Sequence, residues 1–500
     1  MTSTGDARPF VGRDVATVIL PSLPADHPDH ETVAAFITLI ARELPELEAE
    51  VGCPVAISDT IPAATPAVLI GPASANPPLA AWRAARTDIP EGPVVAIDRE
   101  ADCVVIDAGT VAGMGDAMQL LRSAIAGRRD VLVPSDCENL DAAIDRVDAE
   151  VRLTFPRLAE RAPGWAAAVD RAQAEMTGAD GLATLQTLMA TLDDAHSWAK
   201  DARVNGRLPY ALHDDGMTTR FWSVPKNSVA WSEGVRPGDV CLVPELAPWR
   251  ARTGSAPHAR PWNIGYRALQ GPVGTTVALA AIRAGGGEVR WREPVPSLPW
   301  DEPIAVDRLD SRTGYLRIRG WLNGAAWHDA FGDALRGMDR YERLVVDLRG
   351  NVGGALIAAQ DARARFLPGR TALGTICFST VTGAMGRPHP LVAEPPAEGP
   401  VWTKPVRFLV DPLCYSATED FLQGLQGLPH VHLAGQRTGG GSGRPRTIRL
   451  GPHLIATIST ALTFDRAGRC IEGNGFAPEF PIPVHPHRPD AALEAALTGW

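Results

Sequence analysis

The 500-residue chain has no CxxC pair, and its seven cysteines (53, 103, 137, 241, 377, 414 and 470) are odd in number and scattered. That excludes a disulfide framework and a cysteine-built zinc site. No run of 18 apolar residues occurs, and the N-terminal stretch Met1-Thr-Ser-Thr-Gly-Asp-Ala-Arg-Pro9 lacks an apolar signal-peptide core. No membrane partner is therefore expected, and a cytoplasmic location is the default reading. Positive charge is in deficit: 48 Lys and Arg face 58 Asp and Glu, for a net charge of −10. This argues against a nucleic-acid partner. The first 135 residues contain neither a Gly-rich phosphate loop nor a His/Cys cluster, so neither a cofactor nor a metal is expected there. No lysine follows Lys404, an absence that becomes decisive below.

What is present suits a soluble protein of several domains. Hydrophobic residues make up 45% and charged residues 21% of the chain, an ordinary globular balance. Residues 1–135 alternate apolar strand-like runs (Thr17–Leu20, Pro54–Ile57, Ala67–Ile70, Val94–Ile97, Cys103–Ile106) with helical periodicity over 31–50 and 113–125. This predicts an N-terminal α/β domain. Residues 136–205 read as a helical segment, with amphipathic runs over 139–151, 164–176 and 181–192, ending in Asp193-Asp-Ala-His196-Ser-Trp198. Residues 206–300 are rich in short strands and turns, with strands expected over 269–279 and 281–291. Residues 301–500 return to α/β character. The continuous apolar run of Glu342–Arg349 reads as a buried strand running into Gly350-Asn-Val-Gly-Gly354.

One stretch stands out in this last region. The strand-like Val406-Arg-Phe-Leu-Val410 leads into Asp411-Pro-Leu-Cys-Tyr-Ser416-Ala-Thr-Glu-Asp420, and a helical run leads out. A serine at a strand-to-helix turn is exposed, and the first N–H groups of the helix point at whatever it attacks. Ser416 followed by Glu419 also matches a helix capping box, which carries no chemistry. On these residues alone both readings stand.

Five motifs then occur in order: Gly314-Tyr-Leu-Arg-Ile318, Val346-Asp-Leu-Arg-Gly-Asn-Val-Gly-Gly354, Ser416-Ala-Thr-Glu419, Gly435-Gln-Arg-Thr-Gly439 and Glu472-Gly-Asn-Gly-Phe-Ala-Pro478. Together they resemble the core of the S41 serine peptidases, which include the C-terminal processing proteases and the tricorn protease. Asn227–Val240, with its Pro-Gly-Asp turn, and Gly271-Pro-Val-Gly-Thr-Thr-Val277 resemble the PDZ domain of bacterial proteases, interrupted by a polar, Pro-rich insertion over about 246–264. The resemblance implies a multidomain α/β protein: an N-terminal α/β domain (1–135), a helical segment ending in a catalytic histidine (136–205), a PDZ-like domain (206–300) and a crotonase/ClpP-like catalytic core (301–500).

The resemblance also implies roles. The processing proteases pair their serine with a lysine about 25 residues later; counting on from Ser416 reaches Gly441. Tricorn-like members use a histidine ahead of the PDZ region and a glutamate near the C-terminus, positions that His196 and Glu472 match. Imidazole has a suitable pKa for a base, and a carboxylate can fix its tautomer. An oxyanion hole would take Ala417 N–H together with Gly353 or Gly354 N–H. The serine that precedes the histidine in tricorn-like sites is Ala195 here, so Glu472 would reach His196 directly or through Ser197.

The expected activity is that of a serine peptidase acting on peptides or unfolded protein segments through an acyl-enzyme on Ser416. Two other classes fit the scaffold: a non-catalytic ligand carrier, as among retinal relatives that carry retinoids, and an amide-forming acyl-transfer enzyme. A homo-oligomer is compatible with the chain. Bland readings attach to several residues: Cys414 as a packed thiol, Asp347 with Arg349 as a buried structural pair, Asp193 and Asp194 at a helix end, and His485-Pro-His487 as tail.

Overall fold

The computed structural model describes residues 135–175, 181–298, 302–380, 383–483 and 491–498, together with 15–21, 44–58, 67–86, 92–98, 103–108, 131–132 and isolated positions between these early stretches. The chain folds into two compact units. The first comprises residues 1–160, 377–389 and 446–452; the second comprises 161–376, 390–445 and 453–500.

The first unit is built on a six-stranded sheet in the order Val55–Ile57, Ala16–Ile19, Ala67–Ile70, Cys103–Asp107, Val94–Asp98, Val131–Leu132. Its central strands are β-branched and buried throughout (Val68, Ile70, Val104, Ile106). The fully buried Asn76 accepts from Leu79 N–H to cap the helix Pro77–Ala84, while its amide donates to Ile19 O and Ile70 O. One polar side chain thus starts a helix and ties two strands together. The five short strands lie where apolar alternation predicts them. In the expected helix over 113–125 the described residues 117, 118, 120–122, 124 and 125 are helical; the first half of the one over 31–50 falls largely outside the described residues, and His485–His487 lies wholly outside them.

The second unit holds a parallel-dominated sheet in the order Ile304–Arg308, Thr313–Ile318, Arg343–Asp347, Val406–Val410, Val431–Gly435, Phe480–Pro481. Its first pair is antiparallel and the others are parallel. Helices Ala325–Met338, Leu356–Ala364 and Ala417–Leu422 follow the second, third and fourth strands. The middle strands are buried on both faces (Leu344, Val345, Val346, Phe408, Leu409), which is why they read as continuous apolar runs. Phe366, Phe408 and Phe421 meet edge to face at 5.3–5.7 Å, and Trp321 stacks on Phe421 at 4.9 Å. This aromatic core lies beneath the helix that follows Ser416.

A second sheet in this unit, five-stranded and antiparallel, runs Glu288–Pro294, Thr276–Ile282, Val240–Val243, Thr219–Ser223, Ala211–Asp214. Two expectations fail here. The polar, Pro-rich insertion over 246–264, for which no helix was expected, carries helix Ala247–Arg252 and the start of helix Arg260–Ala268, each with proline in its first turn, where the missing N–H costs nothing. The hairpin break lies not at 280 but at Gly286 and Gly287, which take φ +85° and +89°.

Candidate active site

Adjacent parallel strands Arg343–Asp347 and Val406–Val410 end side by side, and the turns after them form the site. Open α/β sheets gather function at these carboxyl ends. The turns are cross-linked: Leu348 N–H donates to Leu409 O at 2.9 Å, Gly350 N–H to Asp411 Oδ1 at 3.0 Å, and the Cys414 thiol to Leu348 O at 3.0 Å. Burial pushes the Cys414 thiol well above its ordinary pKa, so it is a packed thiol. Asp347 is held well below the usual carboxylate range by Arg317 and Arg349, against the cost of its burial; each arginine stands 2.6 Å away. That network braces the strand end, with Arg317 as a member that sequence reasoning did not find.

Ser416 sits at φ +60°, ψ −132°, immediately before helix Ala417–Leu422, and its side chain caps nothing. A non-glycine residue there stores backbone strain, as reactive serines on tight turns do. The capping-box alternative fails because Glu419 turns away. Its carboxyl accepts from Thr438 Oγ1 at 2.5 Å, Gly440 N–H at 2.9 Å and Gly441 N–H at 2.6 Å. Burial nevertheless raises Glu419 to about 7.

Gly353, at φ +107°, lies directly against the serine. A Cβ added there would stand 2.7 Å from Ser416 Cβ and 3.1 Å from Ala417 N, so only glycine fits. Its own N–H donates to Asn351 Oδ1 at 3.0 Å, and Asn351 is anchored through its amide to Ile318 O. Of the expected oxyanion residues, Gly353 thus lies against Ser416 and Ala417, its N–H engaged by Asn351, while Gly354 packs on the Trp321 backbone.

The loop Thr438–Gly443 joins the remaining pieces. Gly441 O accepts from Ser416 N–H at 2.6 Å, Ser442 N–H donates to Glu472 Oε2 at 2.8 Å, and Gly473 N–H donates to Gly440 O at 2.8 Å. His196 packs on the same loop: a Cβ at Gly441 would meet its Cε1 and Nδ1 at 3.3 Å. The imidazole also meets the Tyr415 ring edge-on at 5.6 Å. It is 6% exposed, and neither ring nitrogen has a hydrogen-bond partner among the described residues. Ser416 and His196 are thus brought to one loop but are not hydrogen-bonded to each other. Burial lowers the pKa of His196, Asp194 opposes that shift, and Arg267 reinforces it.

Glu472 is buried, but its carboxylate is not seen bonded to the imidazole; it stands beside Ser442, Gly443 and Ser459. Ser459 is the link that sequence reasoning missed. Its hydroxyl donates to Asp194 Oδ1 at 2.8 Å, and the same oxygen accepts from His196 N–H at 2.9 Å. Asp194 Oδ2 is buried without a hydrogen-bond partner among the described residues. Ser197 Oγ accepts instead from Ser459 N–H at 3.1 Å, so it braces the neighbouring strand. No signal in the sequence pairs residues 194 and 459, which are 265 positions apart. Among the described residues, no group of three or more His, Cys, Asp or Glu is placed to hold a metal ion.

The model of peptidase family S41 matches residues 312–482. That span includes Gly353, Gly354, Ser416, Ala417 and Glu472 but not His196. Among solved structures, mature CPAF complexed with lactacystin is similar at 14% identity, covering 72% of this chain and 97% of that one, with a TM-score of 0.54. The photosystem II D1 C-terminal processing protease is similar at 17% identity, covering 71% and 96%, with a TM-score of 0.49. The tricorn protease is similar at 18% identity, covering 74% and 37%, with a TM-score of 0.40. At these identities the CPAF likeness speaks for a shared fold around the S41 domain. No curated protein matches the chain.

Proposed function

We propose that this chain is a serine peptidase of the Ser-His design, hydrolysing peptide bonds through an acyl-enzyme on Ser416. The observation that carries the reading is the packing of a buried, unpaired imidazole onto the loop that holds the serine. Gly441, where a dyad lysine would be counted, leaves the space that His196 fills. In the proposed reaction His196 takes the Ser416 proton as the oxygen attacks the peptide carbonyl. Ala417 N–H and an N–H of the Gly353–Gly354 turn receive the oxyanion. His196 then returns the proton to the leaving amine, and water repeats the sequence on the ester.

The missing Ser416–His196 hydrogen bond is consistent with this reading, because catalytic hydrogen bonds are often open before substrate binds. Lowered by burial, His196 stays neutral at neutral pH and ready to accept a proton. Asp194 holds the segment that carries it, and Ser459 connects that carboxylate to the Glu472 neighbourhood, in place of the hydroxyl that Ala195 lacks. We read the five-stranded antiparallel sheet and its helices as a PDZ-like module presenting peptide segments to the site, within a cytoplasmic protein.

The test is active-site labelling. A fluorophosphonate should label the native protein at Ser416, and Ser416→Ala should abolish labelling and turnover while circular dichroism stays unchanged. His196→Ala should lower the labelling rate by roughly 10³-fold or more. A folded protein whose Ser416 never labels would sink the reading. Product analysis with and without an added amine separates hydrolysis from acyl transfer.

A further inference from the structure

Along the rings of Trp198, Tyr266 and Tyr415, three cations stand without a carboxylate partner among the described residues. They are Lys200 on strand Trp198–Asp201, Arg207 on strand Gly206–Arg207 and Arg267 in helix Arg260–Ala268. Arg267 Nη2 donates to Ala195 O at 2.9 Å, the carbonyl just ahead of the histidine. Its guanidinium lies 5.0 Å from the Trp198 ring centre and 5.8 Å from that of Tyr266. Lys200 Nζ lies 4.9 Å from the Trp198 ring, and the Arg207 guanidinium 4.9 Å from the Tyr266 ring. Tyr266 in turn meets Tyr415 edge-on at 6.3 Å. Aromatic rings thus link Arg207 and Arg267 through Tyr266 to Tyr415, the residue that precedes Ser416, with Lys200 on the Trp198 ring that Arg267 shares.

None of the three has a carboxylate partner among the described residues; their polar contacts run to the carbonyls of Val204, Tyr210 and Ala195. Arg207 Nε is buried with no hydrogen-bond partner among the described residues. Burial lowers the pKa of Lys200, and the like charge of Arg267 adds to this; burial also lowers that of Arg207, against the Tyr266 and Tyr415 phenols. Elsewhere in this unit Arg317 and Arg349 pair with Asp347 and Arg444 with Asp420, whereas the buried Arg407 donates to the carbonyls of Ala496 and Thr498. Clustering cations without an anion is costly, and a chain with net charge −10 has acids to spare. All three residues remain partly exposed, so a ligand can reach them.

We propose that Lys200, Arg207 and Arg267 form a carboxylate-binding subsite, so that the preferred substrates are peptides carrying a negative charge close to the scissile bond. The inference rests on the peptidase reading for its ligand class. A carboxylate matches both the guanidinium fork and the lysine point charge. It can come from an acidic side chain or from a free C-terminus.

The test measures binding to full-length Ser416→Ala protein by calorimetry at low salt, using N-acetylated peptides of one sequence. One has an internal Glu and a C-terminal amide, one has Gln and a free C-terminal carboxylate, and one has Gln and the amide. At least one charged peptide should bind 10-fold or more tightly than the neutral one, and which of the two does so identifies the source. The preference should shrink with salt and fall several-fold on adding Arg267→Gln or Lys200→Met, two partly exposed sites that spare the fold if Arg207→Gln does not. Equal affinities for charged and neutral peptides, no binding of any of them, or a preference unchanged in both variants would overturn the subsite. Charge-selective binding by a protein whose Ser416 never takes up fluorophosphonate would sink the peptidase reading and leave the subsite standing. Labelling without charge preference would do the reverse.

Discussion

The imidazole of His196 occupies the space that a side chain at Gly441 would need, with Cε1 and Nδ1 both 3.3 Å from the position of an added Cβ. Residue 441 also accepts the Ser416 N–H at its carbonyl. One glycine therefore sets the spacing between the proposed base and the proposed nucleophile. Its φ is not positive, so alanine meets no backbone penalty there and acts through sterics alone. Gly441→Ala should push the ring and slow fluorophosphonate labelling by roughly 10- to 100-fold, as small misplacements do, with little change in Tm. An unaltered labelling rate would mean that the ring position does not matter to the serine.

The depressed pKa of His196 predicts the acid limb of the rate profile. Neutral imidazole is the competent form, and burial disfavours the charged one. The proton therefore binds only at a pH below the ordinary histidine value, and kcat/KM should hold to below about pH 6.5 before falling. Asp194 raises that pKa, so Asp194→Asn should move the limb to still lower pH while reducing kcat more than it changes KM. A limb centred above 6.5 in the native protein would contradict the buried, neutral base.

Much of this site is legible in the sequence, because its parts are local. Ser416, Gly353 and Glu472 sit in short motifs whose residue types have few other uses, and strand-to-helix turns announce themselves by an apolar run ending in Asp or Gly. What is illegible is non-local. Asp194 reads as a helix-end acid until the strand carrying Ser459 folds onto it. Glu419 reads as a cap until the loop Thr438–Gly443 offers it three donors. The helices over 247–268 hide behind proline and arginine, which look like loop and are in fact first-turn and last-turn residues. Lys200, Arg207 and Arg267 come from three elements, and no spacing rule joins them.

Glu419 offers a stability test with a defined sign. Its carboxyl titrates at about 7 in the folded protein against an ordinary 4.5. Between those values the native state holds a proton that the unfolded chain has lost. Its contribution to stability is complete below about pH 4.5 and is lost as pH rises through 7. Glu419→Gln should flatten that part of the urea-midpoint profile. It should also cost about 1–3 kcal/mol, because an amide cannot accept from Gly441 N–H where Oε2 does. Urea titrations at pH 5 and pH 8 on both proteins check this. A slope that persists in the variant would assign it to another group.

The route from Glu472 to His196 is the last relationship open to direct measurement. Ser442 N–H holds Glu472 Oε2 near Ser459, and Ser459 donates to the oxygen of Asp194 that also takes the backbone N–H of His196. If these residues act as one chain, breaking either end should have much the same consequence. Ser459→Ala and Glu472→Gln should each lower kcat by roughly 10-fold or more with KM nearly unchanged, and the double variant should be little worse than the more damaged single. If Glu472 instead acts on the imidazole directly, the two losses should multiply. A double-mutant cycle on kcat, with thermal melts to confirm folding, distinguishes the cases, because packing defects alone would add in Tm without coupling in rate.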